Sequence, residues 1–169
     1  MSGGTIAILS LGSNLGDREL NLRAAVADIA ALTGVTLLGT SGLVETAALK
    51  PTGVDSSAPA YLNAVAKVDT TLAPTELLAR LNEIEASHGR VREVRWSDRT
   101  LDIDIVTYGG LIVDGQKLTL PHPRAVERSF VLVPWLELDP EAELPGVGRI
   151  DGLPAAAADV SRYPAEALS

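Results

Sequence analysis

Two aspartates separated by one residue are the most informative chemical feature of the chain. They lie in the segment Leu101, Asp102, Ile103, Asp104, Ile105. A β-strand would place both carboxylates on one face and the aliphatic side chains on the other. Twice the rise per residue sets the two about 7 Å apart. This spacing suits a site for one or two hard cations such as Mg²⁺, and solvated surface carboxylates are the alternative interpretation of the motif alone.

Basic residues are concentrated on both sides of this pair. Four arginines fall between positions 90 and 99, and three more basic residues follow by position 128. In order they are Arg90, Arg92, Arg95, Arg99, Lys117, Arg124 and Arg128. The cluster is either a solvated face or a pocket for a polyanion such as a nucleotide. Carboxylate-bound magnesium beside arginine is what ATP phosphates require, which favours the pocket.

Glycine-rich phosphate-binding motifs are absent from the sequence: it has neither a Gly-x-x-x-x-Gly-Lys-Ser/Thr tract nor a strand-coupled Gly-x-Gly-x-x-Gly tract. Side chains would therefore meet the phosphate charge. Trp96 and Phe130 adjoin basic positions and are either core residues or faces for a planar heterocycle, whose edge Asn63 and Glu85 can read. His122, between two prolines, either packs in a turn or donates to phosphate.

Periodicity predicts alternating strands and helices that would position these residues. We expect strands over 5–11, 36–46 (bent at its two glycines), 61–70 and 101–108, and a hairpin over 111–120. We expect helices from about 17 to 34, 74 to 89 and 125 to 134. The fold class is therefore α+β and ferredoxin-like, a mainly antiparallel sheet with helices packed on one face and the other face available for a site.

Two segments show no sustained periodicity. Residues 47–59 are expected to form a long loop, which is either a mobile lid or a surface loop without a function. The chain after Pro140 is expected to form an irregular tail with a short helix near 155–160. We expect one domain over 1–169, with its core at about 5–140.

Composition excludes several classes of protein. The chain has 169 residues, no cysteine and a formal charge of −8. The absence of cysteine excludes a disulfide framework, a zinc-thiolate site and a cysteine nucleophile. The acidic balance argues against a nucleic-acid partner, and the short apolar run at 6–11 against a membrane span or secretion signal. We therefore expect a cytoplasmic protein.

The motifs together resemble 6-hydroxymethyl-7,8-dihydropterin pyrophosphokinases. The resemblance rests on Arg-x-x-Asp-x-Asp at 99–104, Pro-His at 121–122, Arg-Ser-Phe at 128–130, Gly-Ser-Asn at 12–14 and Tyr-Leu-Asn-Ala at 61–64, and runs from about residue 5 to 140. It implies ATP-dependent transfer of pyrophosphate to the hydroxymethyl group of the reduced pterin, giving AMP, with two Mg²⁺ ions. It also implies small-molecule substrates in folate biosynthesis, and we expect a monomer.

The resemblance assigns roles by position. Catalytic positions fall on Arg90, Arg99, Asp102 and Asp104, with the two aspartates as metal ligands. ATP-binding positions fall on Asn82, Glu85, Trp96, Lys117, His122 and Arg128. Pterin-binding positions fall on Thr46, Leu49, Tyr61, Asn63 and Phe130.

The chain departs from the family pattern in its loops. Ser97 and Asp98 stand where Gly-Pro is common, and Ala47 and Ala48 replace a proline-rich pair. The rival from another class is a non-catalytic ferredoxin-like regulatory module with surface aspartates. An RNA-binding version lacks the stacking aromatics expected on its sheet.

Overall fold

The structure is a computed structural model, and it describes residues 4–14, 17–46, 48–50, 53–55, 61–88, 101–157 and 161–162. Helices α1, α2 and α3 span Arg18–Ala30, Pro74–Ser87 and Ser129–Leu138. Strands β1 to β6 span Thr5–Ser13, Val35–Thr40, Val44–Thr46, Ala48–Lys50, Gly53–Asp55 and Tyr61–Thr70. Strands β7 to β12 span Asp102–Tyr108, Val113–Asp114, Thr119–Leu120, Glu143–Leu144, Gly148–Arg149 and Ser161–Arg162.

The main sheet has the order β12-β3-β6-β1-β7, with β2 also paired to β6, and its pairings are antiparallel. The α+β, ferredoxin-like prediction is confirmed. The segment predicted as one bent strand over 36–46 forms two strands, β2 and β3, which pair with successive parts of β6. The register of β2 shifts between Leu37 and Gly39, where a bend was expected.

Helices α1 and α2 cover one face of the sheet. Asp17 caps α1 by accepting the Leu20 N–H at 3.1 Å, and Pro74 begins α2. Apolar residues of both helices pack with strand residues that point to this face, including Leu9, Leu62 and Ile103. Burial of these side chains from water is the main force that holds the helices on the sheet.

Helix α3 packs on the opposite face, so the prediction that this face is unoccupied is wrong for part of it. Buried residues of the helix pack with Ile8, Val65 and Val106 from three strands. The reason is composition, because α3 is apolar around most of its circumference and must be buried. As a result Val65 is buried rather than half-buried.

The third helix also extends past its expected end at Pro134. A 3₁₀ turn, Ala125–Glu127, precedes α3, which continues to Leu138 with Pro134 inside it. Proline removes one helical hydrogen bond. Burial of Val131, Leu132 and Trp135 against the sheet offsets that loss.

Two segments predicted to be irregular contain regular structure. Within 47–59, β4 and β5 pair as a short antiparallel hairpin. In the tail, β12 pairs with β3 and a 3₁₀ helix spans Pro154–Ala157. Leu144 and Ile150 join the core under α3, so the core extends beyond residue 140. No helix among the described residues is long and apolar enough to cross a membrane.

Strand β7 lies at one end of the strand order, and other parts of the chain cover its outer edge. The buried Glu85 carboxylate accepts the Ile103 N–H at 2.7 Å, and the His122 N–H donates to the Val106 carbonyl at 2.9 Å. The register with β1 shifts after Ile8, which leaves Val106 as a bulge. These contacts satisfy backbone groups that an edge strand would expose, and they fix the segment that carries Asp102 and Asp104.

Candidate active site

The aspartate pair lies on the face of β7 that the sequence predicted. Asp102 and Asp104 are half-buried, whereas Ile103 and Ile105 are buried against the α1 and α2 side. Asp102 lies opposite Gly12 of β1, and Asp104 lies opposite Ser10. Both carboxylates are therefore on the α3 side of the sheet, on the part of that side that still reaches solvent.

A row of paired residues connects the aspartates to Asn63. Gly12 pairs with Asp102 on one side and with Asn63 of β6 on the other. Residues opposite each other share a face, and two strand spacings separate Asn63 from Asp102 by roughly 10 Å. A Cβ at position 12 would lie 2.9 Å from Asn63 Oδ1 and 3.5 Å from Tyr61 Cδ1. Gly12 is therefore the position over which the Asn63 side chain packs.

The predicted pterin-binding residues of β3 and β6 lie together. Asn63 is buried, and its Nδ2 donates to Thr46 Oγ1 at 2.9 Å and makes a longer contact of 3.5 Å with the Tyr61 carbonyl. Thr46 and Tyr61 are paired and half-buried. Leu49 lies on β4, and its side chain is outside the part of the chain that the structure describes.

Arg128 connects the acidic pair to the predicted aromatic face. Its Nη1 lies 3.6 Å from Asp104 Oδ2, and its guanidinium carbon lies 5.5 Å from the centroid of the Phe130 ring. The second distance is within the range of a cation–π contact. Arg128 immediately precedes α3, so the helix that covers the rest of the face also places this cation and this ring beside the carboxylates.

His122 is held as a neutral donor beside Asp104. Its Nδ1 accepts the Arg124 N–H at 3.2 Å, so the ring hydrogen is on Nε2, which lies 3.9 Å from Asp104 Oδ2. Burial, then the positive charge of Arg128, lowers the pKa of His122 to about 4, while the charge of Asp102 acts in the opposite direction. The peptide bond from Leu120 to Pro121, just before it, is cis.

The predicted ATP-binding residues of α2 and the β8–β9 turn fall into three environments. Glu85 is 1% exposed and gives one carboxylate oxygen to the Ile103 N–H, so it positions β7 directly between the aspartates. Asn82 is half-buried one turn earlier on α2, and Lys117 is exposed between β8 and β9. The nucleotide-binding roles of all three stay predictions. The predictions for Arg90, Trp96 and Arg99 concern residues outside the part of the chain that the structure describes.

Periodicity did not single out Ser10, which lies opposite Asp104, or the contact by which Glu85 positions β7. Alternation along β1 puts Ile8, Ser10 and Gly12 on one face, and two non-aliphatic residues in a buried strand were the available signal for Ser10. The Glu85 contact joins residues 18 positions apart on different elements. Local periodicity carries no signal for it.

The donor set fits a hard cation. Carboxylate oxygens are ligands that Mg²⁺ prefers, and Mg²⁺ commonly keeps several waters alongside one or two carboxylates and substrate phosphates. Over the described ranges, no three or more histidine, cysteine, aspartate and glutamate side chains are grouped as a metal site. A metal at Asp102 and Asp104 would therefore take further ligands from water or bound phosphate.

Fold and site together define an α+β protein with paired carboxylates, a neighbouring arginine and a neutral histidine donor, an arrangement suited to a metal-bound polyphosphate. Residues 8–140 match the family model described as 7,8-dihydro-6-hydroxymethylpterin-pyrophosphokinase (HPPK). The chain belongs to this family.

Curated relatives agree with the family match. A 2-amino-4-hydroxy-6-hydroxymethyldihydropteridine pyrophosphokinase of Haemophilus influenzae is 42% identical over 139 residues, which cover 82% of this chain and 84% of the relative. The protein of the same name from Bacillus subtilis is 42% identical over 138 residues, covering 82% and 80%.

Solved structures show the same fold. The crystal structure of Plasmodium falciparum HPPK-DHPS wild type with pterin and p-hydroxybenzoate aligns with a TM-score of 0.67 at 16% identity. The alignment covers 89% of this chain and 42% of that chain.

Proposed function

We propose that this protein transfers the pyrophosphoryl group of ATP to the hydroxymethyl group of 6-hydroxymethyl-7,8-dihydropterin, with two Mg²⁺ ions at Asp102 and Asp104. Family membership supports the reaction type. The observation that carries the site assignment is the row from Asp102 through Gly12 to Asn63, which places the metal-type and heterocycle-type groups on one face. A cytoplasmic monomer stays a prediction.

The reaction exchanges one P–O bond for another. The hydroxymethyl oxygen of the pterin attacks the β-phosphorus of ATP, and the bond from that phosphorus to the α–β bridging oxygen breaks. AMP leaves with the bridging oxygen, and the hydroxyl proton passes to solvent. Mg²⁺, when bound, would neutralise phosphate charge and orient the reacting phosphate. The protein's own contribution is then mainly positioning and electrostatic stabilisation.

Arg128 and His122 would serve the phosphate end. The side chain of Arg128 is 25% exposed and its guanidinium lies beside Asp104, so it can donate to a phosphate oxygen that arrives with the metal. His122 presents its Nε2–H to the same carboxylate oxygen. A neutral donor binds phosphate without adding a charge that repels the cation. The ATP-binding and catalytic roles implied by the family resemblance stay assigned to Arg90, Arg99, Trp96, Asn82 and Lys117.

Asn63 and Phe130 would serve the pterin end. The Asn63 amide is fixed by Thr46 and can exchange hydrogen bonds with the edge of the heterocycle. The Phe130 ring is half-buried and can stack on its face. The Tyr61 carbonyl lies 3.5 Å from Asn63 Nδ2, and Tyr61 would shape the pocket together with Leu49. Asn63 and Asp102 lie about two strand spacings apart, which suits a reaction between two neighbouring ligands.

The proposal is tested by neutralising each carboxylate in turn. Asp102→Asn and Asp104→Asn should each lower the rate of AMP formation at least about a hundredfold, because a neutral amide is a poor ligand for a hard cation. Circular dichroism and thermal midpoint should stay close to those of the parent, since both side chains are partly exposed. Asp69→Asn, at the far end of β6, is the matched control and should keep full turnover. Near-normal turnover in both site variants would refute the assignment.

A further inference from the structure

Ser10 occupies the position across the sheet from Asp104. It lies on β1, opposite Asp104 of β7 and opposite Val65 of β6. Directly opposite residues of an antiparallel pair point to the same face, with Cα atoms about 4.5–5.5 Å apart. The Ser10 hydroxyl is therefore on the carboxylate side of the sheet, within reach of the Asp104 side chain or of a water bound to it.

A serine is an unusual choice for this position. Ser10 is 6% exposed, and its same-face neighbour Ile8 belongs to the core under α3. A hydroxyl at so buried a position is more costly to desolvate than an apolar side chain unless it has a hydrogen-bond partner. A partner supplied by a bound ligand would offset this cost.

The other groups around Asp104 leave a need that a hydroxyl can meet. Arg128 carries only donors, and the side of His122 that faces Asp104 is its Nε2–H. Neither can accept a hydrogen bond from a water molecule on a metal. A serine hydroxyl both accepts and donates. Magnesium bound through few carboxylates keeps several waters, each of which needs an acceptor for its hydrogens.

We propose that Ser10 is a positioning residue for the metal site: its hydroxyl accepts a hydrogen bond from a metal-bound water and donates to the Asp104 carboxylate. This rests on the proposed function. Partners of this kind fix the direction of a ligand and tune metal affinity without touching the metal. Ser10 is not a catalytic residue in this account, because it acts through Asp104 and the water.

The test compares Mn²⁺ affinity in Ser10→Ala and the parent protein. Binding is followed by the electron paramagnetic resonance signal of free Mn²⁺, with the α,β-methylene analogue of ATP present so that no turnover occurs. Ser10→Ala should raise the dissociation constant about tenfold, and Ser10→Thr should restore it to within about threefold. Thr107→Val is the matched control, because it removes a buried hydroxyl from the same sheet near Ile8 and should leave Mn²⁺ affinity unchanged.

The possible outcomes distinguish failure of the metal site from failure of the role of Ser10 alone. A parent protein that does not bind Mn²⁺ with the analogue would overturn the metal site and with it the role of Ser10. A parent that binds, with Ser10→Ala binding equally well, would overturn the Ser10 role alone. An equal loss of affinity in Thr107→Val and Ser10→Ala would also overturn it, because the loss would then reflect packing. Thermal midpoints within about 2 °C of each other are expected for all four proteins.

Discussion

Replacing Gly12 by alanine adds one methyl group at the centre of the row that connects the two halves of the site. The new Cβ would lie 2.9 Å from Asn63 Oδ1 and 3.5 Å from Tyr61 Cδ1. The distance of 2.9 Å is shorter than a non-bonded contact between carbon and oxygen allows, so one of the two groups must move. The Asn63 amide is the group that can move. The three nearest atoms to this Cβ belong to residues 61–63, and none belongs to Asp102.

The displaced amide sets the size of the effect. Asn63 is 4% exposed and donates to Thr46 at 2.9 Å, so moving it breaks this hydrogen bond or misaligns the amide for the heterocycle. In the pterin complex a misaligned amide leaves a buried polar group without its partner, which costs about 1–3 kcal/mol and corresponds to roughly 5- to 150-fold weaker pterin binding. Alanine in an extended strand regains about 0.5–1 kcal/mol of backbone entropy, which offsets part of the folding stability lost with the Thr46 hydrogen bond.

The assay is calorimetric titration of the pterin in the presence of the ATP analogue, with ATP affinity measured separately. Gly12→Ala should weaken pterin binding roughly 5- to 150-fold and change ATP affinity less than about twofold. Gly110→Ala is the control, because a Cβ there meets no atom within 4 Å. In a double-mutant cycle, Gly12→Ala should have little further effect in an Asn63→Ala background. Unchanged pterin affinity, or fully additive effects, would refute this reasoning.

Three further predictions concern the phosphate end. Glu85→Gln should keep a carbonyl acceptor for the Ile103 N–H and unfold within about 1 kcal/mol of the parent, whereas Glu85→Ala should lose about 2–4 kcal/mol in urea denaturation; equal losses would contradict the positioning role. His122→Gln can place its amide N–H near the position of Nε2, so it should retain more turnover than His122→Asn, whose shorter side chain reaches only the position of Nδ1 near Arg124. The reverse order of kcat would count against the Nε2–H tautomer. Arg128→Ala should raise the KM for ATP about tenfold or more, and an unchanged KM would exclude a phosphate contact.

The sheet and the aspartate face followed from the sequence because their signals are local. Alternation in β6 and β7 depends on neighbouring residues only, and Asp17 and Pro74 are start signals for the helices that follow them. Asp102 and Asp104 were therefore assigned to one face correctly.

The position of α3 and the edge contacts of β7 depend on tertiary packing instead. Nothing within Ser129–Leu138 specifies which face of the sheet the helix will cover, and Pro134 alone argued for an earlier end. The helix continues because its buried side chains outweigh one lost hydrogen bond. The contact between Glu85 and Ile103 likewise requires α2 and β7 to be in place first. Alternation predicted that Tyr61 and Asn63 share one face of β6, whereas the addition of Thr46 to this group was expected only from the family resemblance.

The most direct test of the central claim is product analysis of the wild-type protein with ATP, Mg²⁺ and 6-hydroxymethyl-7,8-dihydropterin. We expect AMP and the pterin diphosphate in equal amounts, no AMP when the pterin is omitted, and no product when Mg²⁺ is removed by a chelator. Formation of ADP in place of AMP, or AMP release that does not depend on the pterin, would contradict pyrophosphoryl transfer at this site.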